Sequence, residues 1–534
     1  MKYFLLSLVC MLFAQSAFAV GEAASTSRMS ALLPQPNTVK ELPSAPFRIR
    51  ESRCALYAST DGLSPAVRYL QRVVKHRMGR DLAVVDSPEK ASFRLLVDGS
   101  LQENGHYRLQ VDRKGVCLTG ASEAAVYYAV ATLDQWLMGS SADALSGRIP
   151  AVWIDDAPRF PFRGLMLDPA RHFLPLKDVK FFVDQMARYK YNVLQLHLTD
   201  DQGWRVELDG YPQLSARQAY TADELRELVA YAAERYVEVI PELDIPGHTA
   251  AFLSAYPGLG CAHLQTDTIQ VGTTVNRMLC AANDSVYVLF GNILRQVAAI
   301  FPSPYIHLGG DEAAVPANWA KCPRCRRMMK DRGYTQPTQL MIPFFNRMLA
   351  FVRQEGKRPI LWCELNNIIY PPADDYLFPY PEDVTLVSWR GGLTPTCLEL
   401  TRKSDHPLIM APGEHAYLDY PQLQGDLPEF DNWGMPVTTL RQCYALDPGY
   451  GQPESDQQHV LGVLGTLWGE AMRDINRVTY MAYPRALALA EAGWTRMENR
   501  NWESFRERLL PNLSDLMRRG VSVRVPFEIF DREQ

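Results

Sequence analysis

The chain has 534 residues, 47% of them apolar and 22% charged, with a net charge of −5 and a pI near 6.1. That is too long for one ordinary domain and has the balance of a soluble globular protein. No basic stripe or Lys/Arg block stands out, which argues against nucleic acid as a partner.

At the N-terminus Lys2 gives a positive start, Tyr3 to Phe13 is a short apolar run, and Ala17-Phe18-Ala19 offers a small-x-small cleavage pattern. This predicts a signal peptide over residues 1–19 and a secreted or periplasmic protein. The run is too short to span a bilayer, and no later segment reads as transmembrane. A lipoprotein site at Cys10 fits less well, because Val9 is bulky where such sites want a small residue.

Residues 20–45 are rich in Ala, Ser and Pro and read as an extended lead-in. Strand-like runs follow at Phe93–Val97, Tyr107–Val111 and Gly115–Thr119, with helical patterns at Pro65–Met78 and Ser122–Leu137. They predict a small α+β domain over 20–157, closed by Asp155-Asp-Ala-Pro158 and Pro161.

A different rhythm then begins, with short apolar runs alternating with helical periods. The runs are Arg163–Asp168, Asn192–Thr199, Val237–Asp244, Tyr305–Gly310, Pro359–Glu364, Val384–Trp389, Leu408–Pro412 and Val460–Trp468. Between them, Val179, Phe182, Val183, Met186 and Ala187 share one helical face. So do Leu225, Leu228, Val229, Ala232, Ala233 and Tyr236, and Thr221 with Glu224 makes a capping box. Eight strands separated by helices predict a (β/α)₈ TIM barrel over 158–500, with a C-terminal helical segment, 501–534, packed on it. An open doubly wound sheet is the alternative, but no Gly-x-Gly-x-x-Gly turn follows the first run. The runs also end in Asp168, Asp200, Asp244, Glu312, Glu364, Trp389, Glu414 and Glu470. The C-terminal ends of barrel strands converge on one face, where active sites form.

The chain has ten cysteines, and signal cleavage would leave nine. Cys261 and Cys280 share one long connection, which predicts a disulfide in an oxidising compartment. Cys322-Pro-Arg-Cys325 reads as a close-range disulfide or as half a zinc site. No second Cys pair or nearby His is evident to complete four ligands, so no metal is expected. The odd count leaves a free thiol, for which Cys363 is the candidate.

The run His307-Leu-Gly-Gly-Asp-Glu312 carries the chemistry. Two adjacent carboxylates at a crowded strand end repel, so one can hold its proton at neutral pH as a general acid must. Asp200 and Asp201 follow the second run, Asp244 and His248 the third, and Arg171 and His172 the first. Each alone reads equally well as structural. Trp362, Trp389 and Trp468 sit at strand ends and Tyr417 lies beyond the seventh run, a set of rings able to wall in a pyranose. No phosphate-cradling loop with a Lys is present.

These residues resemble the family 20 glycoside hydrolases, the β-N-acetylhexosaminidases. The matching runs are Arg163-Gly-Leu-Met-Leu-Asp-Pro-Ala-Arg-His-Phe173, Asn192 through Trp204, Pro241-Glu-Leu-Asp-Ile-Pro-Gly-His-Thr249, His307–Glu312 and Leu467-Trp-Gly-Glu470. The resemblance implies an exo-acting retaining hydrolase of terminal β-linked GlcNAc or GalNAc, working through an oxazolinium formed by the substrate's acetamido group. It implies Glu312 as acid and base, and Asp311 as the group that orients the acetamido. It implies Arg171, Asp419 and Glu470 as ligands of the sugar hydroxyls, and Asp200, Asp244 and His248 as the supporting network. Trp362, Trp389 and Trp468 become the walls of the sugar pocket, and Tyr417 a donor to the acetamido oxygen. It implies a glycan substrate and no cofactor or metal. Cys363 stands where relatives often have Asp, and Leu365–Asp383 departs from the pattern, on the leaving-group side. Against this stand a non-catalytic sugar-binding protein, which would lack the acid at 312, and a metal-dependent barrel hydrolase, which would want His-x-His at the first strand where Arg171-His172 stands.

Overall fold

A computed structural model describes residues 31–49, 54–101, 105–215, 218–261, 277–364, 380–426 and 435–530. The expected signal peptide and residues 365–379 of the divergent loop lie outside them. Among the described residues, no helix is long and apolar enough to cross a membrane.

The N-terminal part contains β1 (Thr38–Glu41), β2 (Phe47–Arg48), β3 (Ala55–Ala58), β4 (Ala83–Val84), β5 (Phe93–Val97), β6 (Tyr107–Asp112), β7 (Gly115–Gly120), β8 (Arg148–Ile149) and β9 (Val152–Asp156). Seven of these form one mixed sheet in the order β1-β9-β6-β7-β5-β3-β4, and β2 pairs with β8. In β6, Tyr107, Leu109 and Val111 are buried while Arg108 and Gln110 are exposed, the alternation of a half-covered strand. The helix Glu123–Gly139, capped by the Ser122 side chain accepting from Ala125 N–H, covers the sheet and is buried from Ala125 to Met138.

The second part is a closed barrel of eight parallel strands: β10 (Phe162–Leu167), β11 (Val193–His197), β12 (Glu238–Glu242), β13 (Tyr305–His307), β14 (Arg358–Trp362), β15 (Thr385–Ser388), β16 (Leu408–Met410) and β17 (Val460–Leu467). Each lies within or at the edge of one of the eight apolar runs. The Thr221–Glu224 capping box forms at the start of helix Ala222–Ala233. Strand alternation sorts the core in two. Phe162, Met166, Val193, Ile240, Ile360, Val387, Ile409 and Leu464 fill the barrel interior as one apolar cluster. Their neighbours, such as Leu165, Leu167, Leu194 and Leu196, face the surrounding helices. Continuing the inward alternation toward the strands' C-terminal ends gives Asp168, His197, Glu242, Asp244, His307, Trp362, Trp389 and Trp468.

The lead-in is packed against the body of the protein from residue 31: Ala31, Leu32 and Leu33 are fully buried. Their backbone bonds to Asn512, Arg508 and Gln135, because apolar side chains in that short run find a seam beneath the C-terminal helix. The predicted Cys261–Cys280 bridge is not formed. All nine described cysteines are thiols, and these two stand with Cys322 and Cys325 in one buried cluster. The second cysteine pair thought missing comes from a separate loop that only the fold brings near. Cys363 is a buried thiol one residue past the end of β14.

The C-terminal helix Trp502–Arg518 joins both parts. Its Arg508 forks onto Glu491 at 2.5 and 2.8 Å, and its Asp515 receives Arg77 at 2.8 Å and Arg188 at 2.6 Å. Arg77 and Arg188 also bind Asp134. Burial alone would raise the carboxyls of Asp515 and Asp134, but Arg188 and Arg77 outweigh it and hold both below the ordinary range. Asp515→Ala is expected to cost about 3–5 kcal/mol, because it strands buried guanidinium charge. A depressed carboxyl contributes stability above its unfolded pKa, so this contribution is full at neutral pH and fades as pH falls below about 4. Thermal melts of wild type and variant across that range check it: the two should converge in acid.

Candidate active site

At the barrel mouth, inward-facing polar side chains form one connected network. Glu242 lies at its base. It accepts from Trp362 Nε1 at 2.8 Å and Gln195 Nε2 at 2.7 Å, and pairs with His197 Nδ1 at 2.9 Å. Burial would raise Glu242, but His307 and His197 bring it down to about 2. His197 Nε2 meets Asp200 at 2.8 Å. Asp200 also binds Arg171 Nη2 at 3.0 Å and His248 Nδ1 at 3.3 Å. Against its burial, Arg171, His248 and His197 keep Asp200 ionised, well below the ordinary carboxylate range.

Arg171 is held by three acids: Asp168 at 2.7 Å, Asp200 at 3.0 Å and Glu470 at 3.2 Å. Its guanidinium lies 4.9 Å from the Trp468 ring centre. The salt-bridge reading of this residue therefore holds, and three carboxylates fix the plane of its donor fork at the mouth.

His248 is the hinge between this network and the two adjacent acids. Its Nε2 lies 3.7 Å from Asp311 Oδ2 and 3.7 Å from Glu312 Oε2. Burial would lower the imidazole, but Asp200, Asp244 and Asp311 raise it well above its ordinary value, so it carries positive charge. Asp244 and Asp311 move the other way. Asp244 is raised well above the ordinary range by burial and by Asp311. Asp311 is raised by burial, with His248 opposing and Glu312 adding to the rise. Asp311 is 6% exposed, and its Oδ1 is buried with no hydrogen-bond partner.

The backbone that presents the pair is strained and specific. Gly309 and Gly310 adopt φ of +65° and +103°, and Glu312 itself sits at +46°. Gly310 N–H donates to Asp244 Oδ1 at 3.2 Å, and Glu312 N–H donates to Glu364 Oε1 at 3.1 Å. A non-glycine residue in this region of φ costs about 1–3 kcal/mol and persists only where its surroundings over-determine it. Here the two flanking carboxylates do so.

The aromatic residues close the walls. Trp362 and Trp468 have ring centres 5.7 Å apart, and Trp362 and Trp389 are 6.5 Å apart. Trp389 lies nearly parallel to Tyr417, at 15° and 6.5 Å, and Tyr417 lies 6.3 Å from Trp468. Asp419 is buried two residues beyond Tyr417, and Glu470 lies two beyond Trp468. Arg171, Asp200, Asp244, His248, Asp311, Glu312, Trp362, Trp389, Tyr417, Trp468 and Glu470 are thus joined by the contacts above, and Asp419 follows just after Tyr417.

The sequence reading did not include several members. Glu364 was seen as a strand end only. Burial, with Arg390 opposing and Asp311 adding, raises its carboxyl to about 7, and Arg390 reaches it at 3.1 Å. His197 and Glu242 lay inside quoted runs, and counting alternate inward positions would have found both. Arg390 had no comparable signal, because its partner lies in another strand's loop.

The comparisons with known proteins converge on this architecture. Residues 160–497 match the glycosyl hydrolase family 20 catalytic domain, and residues 29–157 match domain 2 of the same family. A β-hexosaminidase of Akkermansia muciniphila is 40% identical over 469 residues, covering 82% of this chain and 91% of that one. The crystal structure of a β-N-acetylhexosaminidase aligns at 34% identity and a TM-score of 0.74, covering 92% and 95% of the two chains. An exo β-N-acetylglucosaminidase from Vibrio harveyi, in complex with N-acetylglucosamine, aligns at 28% identity and a TM-score of 0.80, covering 94% and 79%.

Gly309 offers a sharp test of this geometry. A Cβ there would fall 1.7 Å from Asp244 Oδ1. Gly309→Ala must push Asp244 or the acid-bearing turn aside, and a displacement near 1 Å is expected to lower kcat/KM by about 10²-fold. Steady-state kinetics on the folded variant check this, with circular dichroism confirming that the barrel is intact.

Proposed function

The chain belongs to glycosyl hydrolase family 20 and is a β-N-acetylhexosaminidase, and from that premise we propose that it removes terminal β-linked N-acetylglucosamine or N-acetylgalactosamine from glycans with retention of configuration, the substrate's own acetamido carbonyl oxygen acting as nucleophile.

The observation that carries the reading is the closeness of the two acids. One oxygen each of Asp311 and Glu312 and a nitrogen of His248 lie within 4.8 Å of one another. An inverting glycosidase needs about 6.5–9.5 Å between its carboxyl groups to admit a water, and a retaining one about 5–5.5 Å. A pair this close supports the retaining outcome. Asp311 is 6% exposed beside Glu312, and its role in this reading is to hold the acetamido group rather than to attack the anomeric carbon. Its unpartnered Oδ1 suits instead an N–H donor, which the acetamido group provides.

In this mechanism Glu312, its side chain 30% exposed, donates a proton to the departing glycosidic oxygen as the acetamido oxygen attacks the anomeric carbon. Asp311 accepts the acetamido N–H and balances the positive charge of the oxazolinium. Glu312, now ionised, takes a proton from water as that water attacks, and the ring reopens to the acetamide. Tethering the nucleophile to the substrate removes an entropic barrier that a separate group would face. His248, held positive by Asp200, stabilises whichever of the two acids is ionised. Arg171, Asp419 and Glu470 are assigned to the sugar hydroxyls and Tyr417 to the acetamido oxygen. The ring of Trp362, Trp389 and Trp468 supports a pocket for one terminal sugar, hence exo action. Export is inferred from Lys2, the Tyr3–Phe13 run and Ala17-Phe18-Ala19.

Glu312→Gln is expected to lower hydrolysis of an aryl β-GlcNAc glycoside by about 10²–10⁴-fold, least for the most activated leaving group. Asp311→Asn should be impaired whatever the leaving group, because acetamido attack accompanies every departure. Kinetics on a leaving-group series separate the two, and near-normal turnover by Glu312→Gln would sink the assignment.

A further inference from the structure

We propose that Cys261, Cys280, Cys322 and Cys325 form a structural zinc site that fastens the loop carrying Asp311 and Glu312 to its neighbour. The assignment stands apart from the reaction, since none of these sulfurs belongs to the network around Glu312.

The four thiols are buried, Cys261 at 1% exposure and the other three at 0%. Their sulfurs all lie within 4.8 Å of one another, with Cys280 Sγ 3.9 Å from Cys322 Sγ and 3.7 Å from Cys325 Sγ. A tetrahedral zinc bound at about 2.3 Å by four thiolates sets its sulfurs about 3.8 Å apart. A disulfide would draw a pair to about 2.05 Å. Cys280 thus lies at the tetrahedral edge length from two of the others, with all four sulfurs within 4.8 Å, an arrangement that fits a shared cation.

The backbone is arranged for the same purpose. Gly260 and Leu279 form an antiparallel bridge, and Cys280 N–H donates to Leu259 O at 2.9 Å, so Cys261 and Cys280 arrive side by side. Cys322 caps the helix Pro323–Asp331 and Cys325 lies in its first turn. A zinc tetrathiolate has a net charge of −2, and the helix N-terminus favours negative charge. Lys321, Arg324, Arg326 and Arg327 flank the pair with positive charge. This nearby compensation is what a disulfide pair would not call for.

The consequence is mechanical. Residues 313–322 follow Glu312 directly and are already stitched to the other loop: Trp319 Nε1 donates to Leu279 O at 2.8 Å, and Met278 N–H donates to Asn318 Oδ1 at 3.2 Å. Zinc would complete that seam and damp motion of the acid-bearing turn. All four positions being protein ligands, the metal has no open place for water and takes no part in hydrolysis. Binding converts four thiols to thiolates and releases their four protons to solvent.

The test uses the full chain, purified and exchanged into metal-free buffer. Elemental mass spectrometry should find about one zinc per chain, and a mercurial that blocks thiols should release it to a chromogenic zinc indicator. Cys325→Ser should lower the bound zinc by about tenfold and lower Tm, with KM of the folded fraction nearly unchanged. A metal-free chain with two disulfides by intact mass would overturn the proposal, as would a metal-free chain in which these four cysteines titrate as free thiols along with the rest. Iron in place of zinc would overturn the choice of metal.

Discussion

The positive imidazole of His248 makes the rest of the site possible. Asp244, Asp311 and Glu312 crowd one corner of the barrel mouth, and two like charges about 4 Å apart at an effective dielectric near 20 repel by about 4 kcal/mol. His248 touches both reacting acids at 3.7 Å and faces Asp244 as well. It remains charged because Asp200 is ionised beside it, and Asp200 is ionised because Arg171 and His197 hold it so. Charge at the reacting pair is therefore set by a relay of buried pairs reaching down to Glu242 on the barrel strands. Removing any member leaves an uncompensated charge in a dry place, which is costly.

The same corner stores backbone strain. His248 and Glu312 both adopt positive φ, at +51° and +46°, and Gly309 leaves room for Asp244 to lie against it. Strain of this kind survives where hydrogen bonds fix it from outside. Glu364 does so for Glu312, and the stitching between residues 278–280 and 318–319 braces the turn from the other side. Preorganisation of the acid thus depends on loops as much as on strands.

Much of this was legible in the chain. Eight apolar runs ending in acids or tryptophans predicted the barrel and its working face, because alternation in a strand sends every second side chain inward and the last inward positions meet at the mouth. All eight runs did fold as barrel strands, and alternation accounts for the inward placing of Asp168 and Asp244. What the sequence hid were contacts made by loops with no periodicity. Arg390 reaching Glu364, the lead-in at Ala31–Leu33 sealed under the C-terminal helix, and the convergence of Cys261 and Cys280 on Cys322 and Cys325 all join distant segments. Spacing along the chain carries no record of such meetings. The expected disulfide failed on that ground: nothing in the spacing of Cys261 and Cys280 shows that Cys322 and Cys325 fold against them.

The central claim is that neither adjacent acid is the nucleophile, so that Asp311 and Glu312 can share one corner with separate duties. Its most direct test is a series of aryl β-glycosides whose acetamido methyl carries zero, one, two or three fluorines. Each fluorine withdraws electrons from the carbonyl and weakens its oxygen as a nucleophile, while the anomeric bond and leaving group stay the same. The account predicts that kcat/KM falls steeply and steadily along the series. A flat response would mean that the acetamido oxygen does not attack, and would return the nucleophile's role to a carboxylate of the protein.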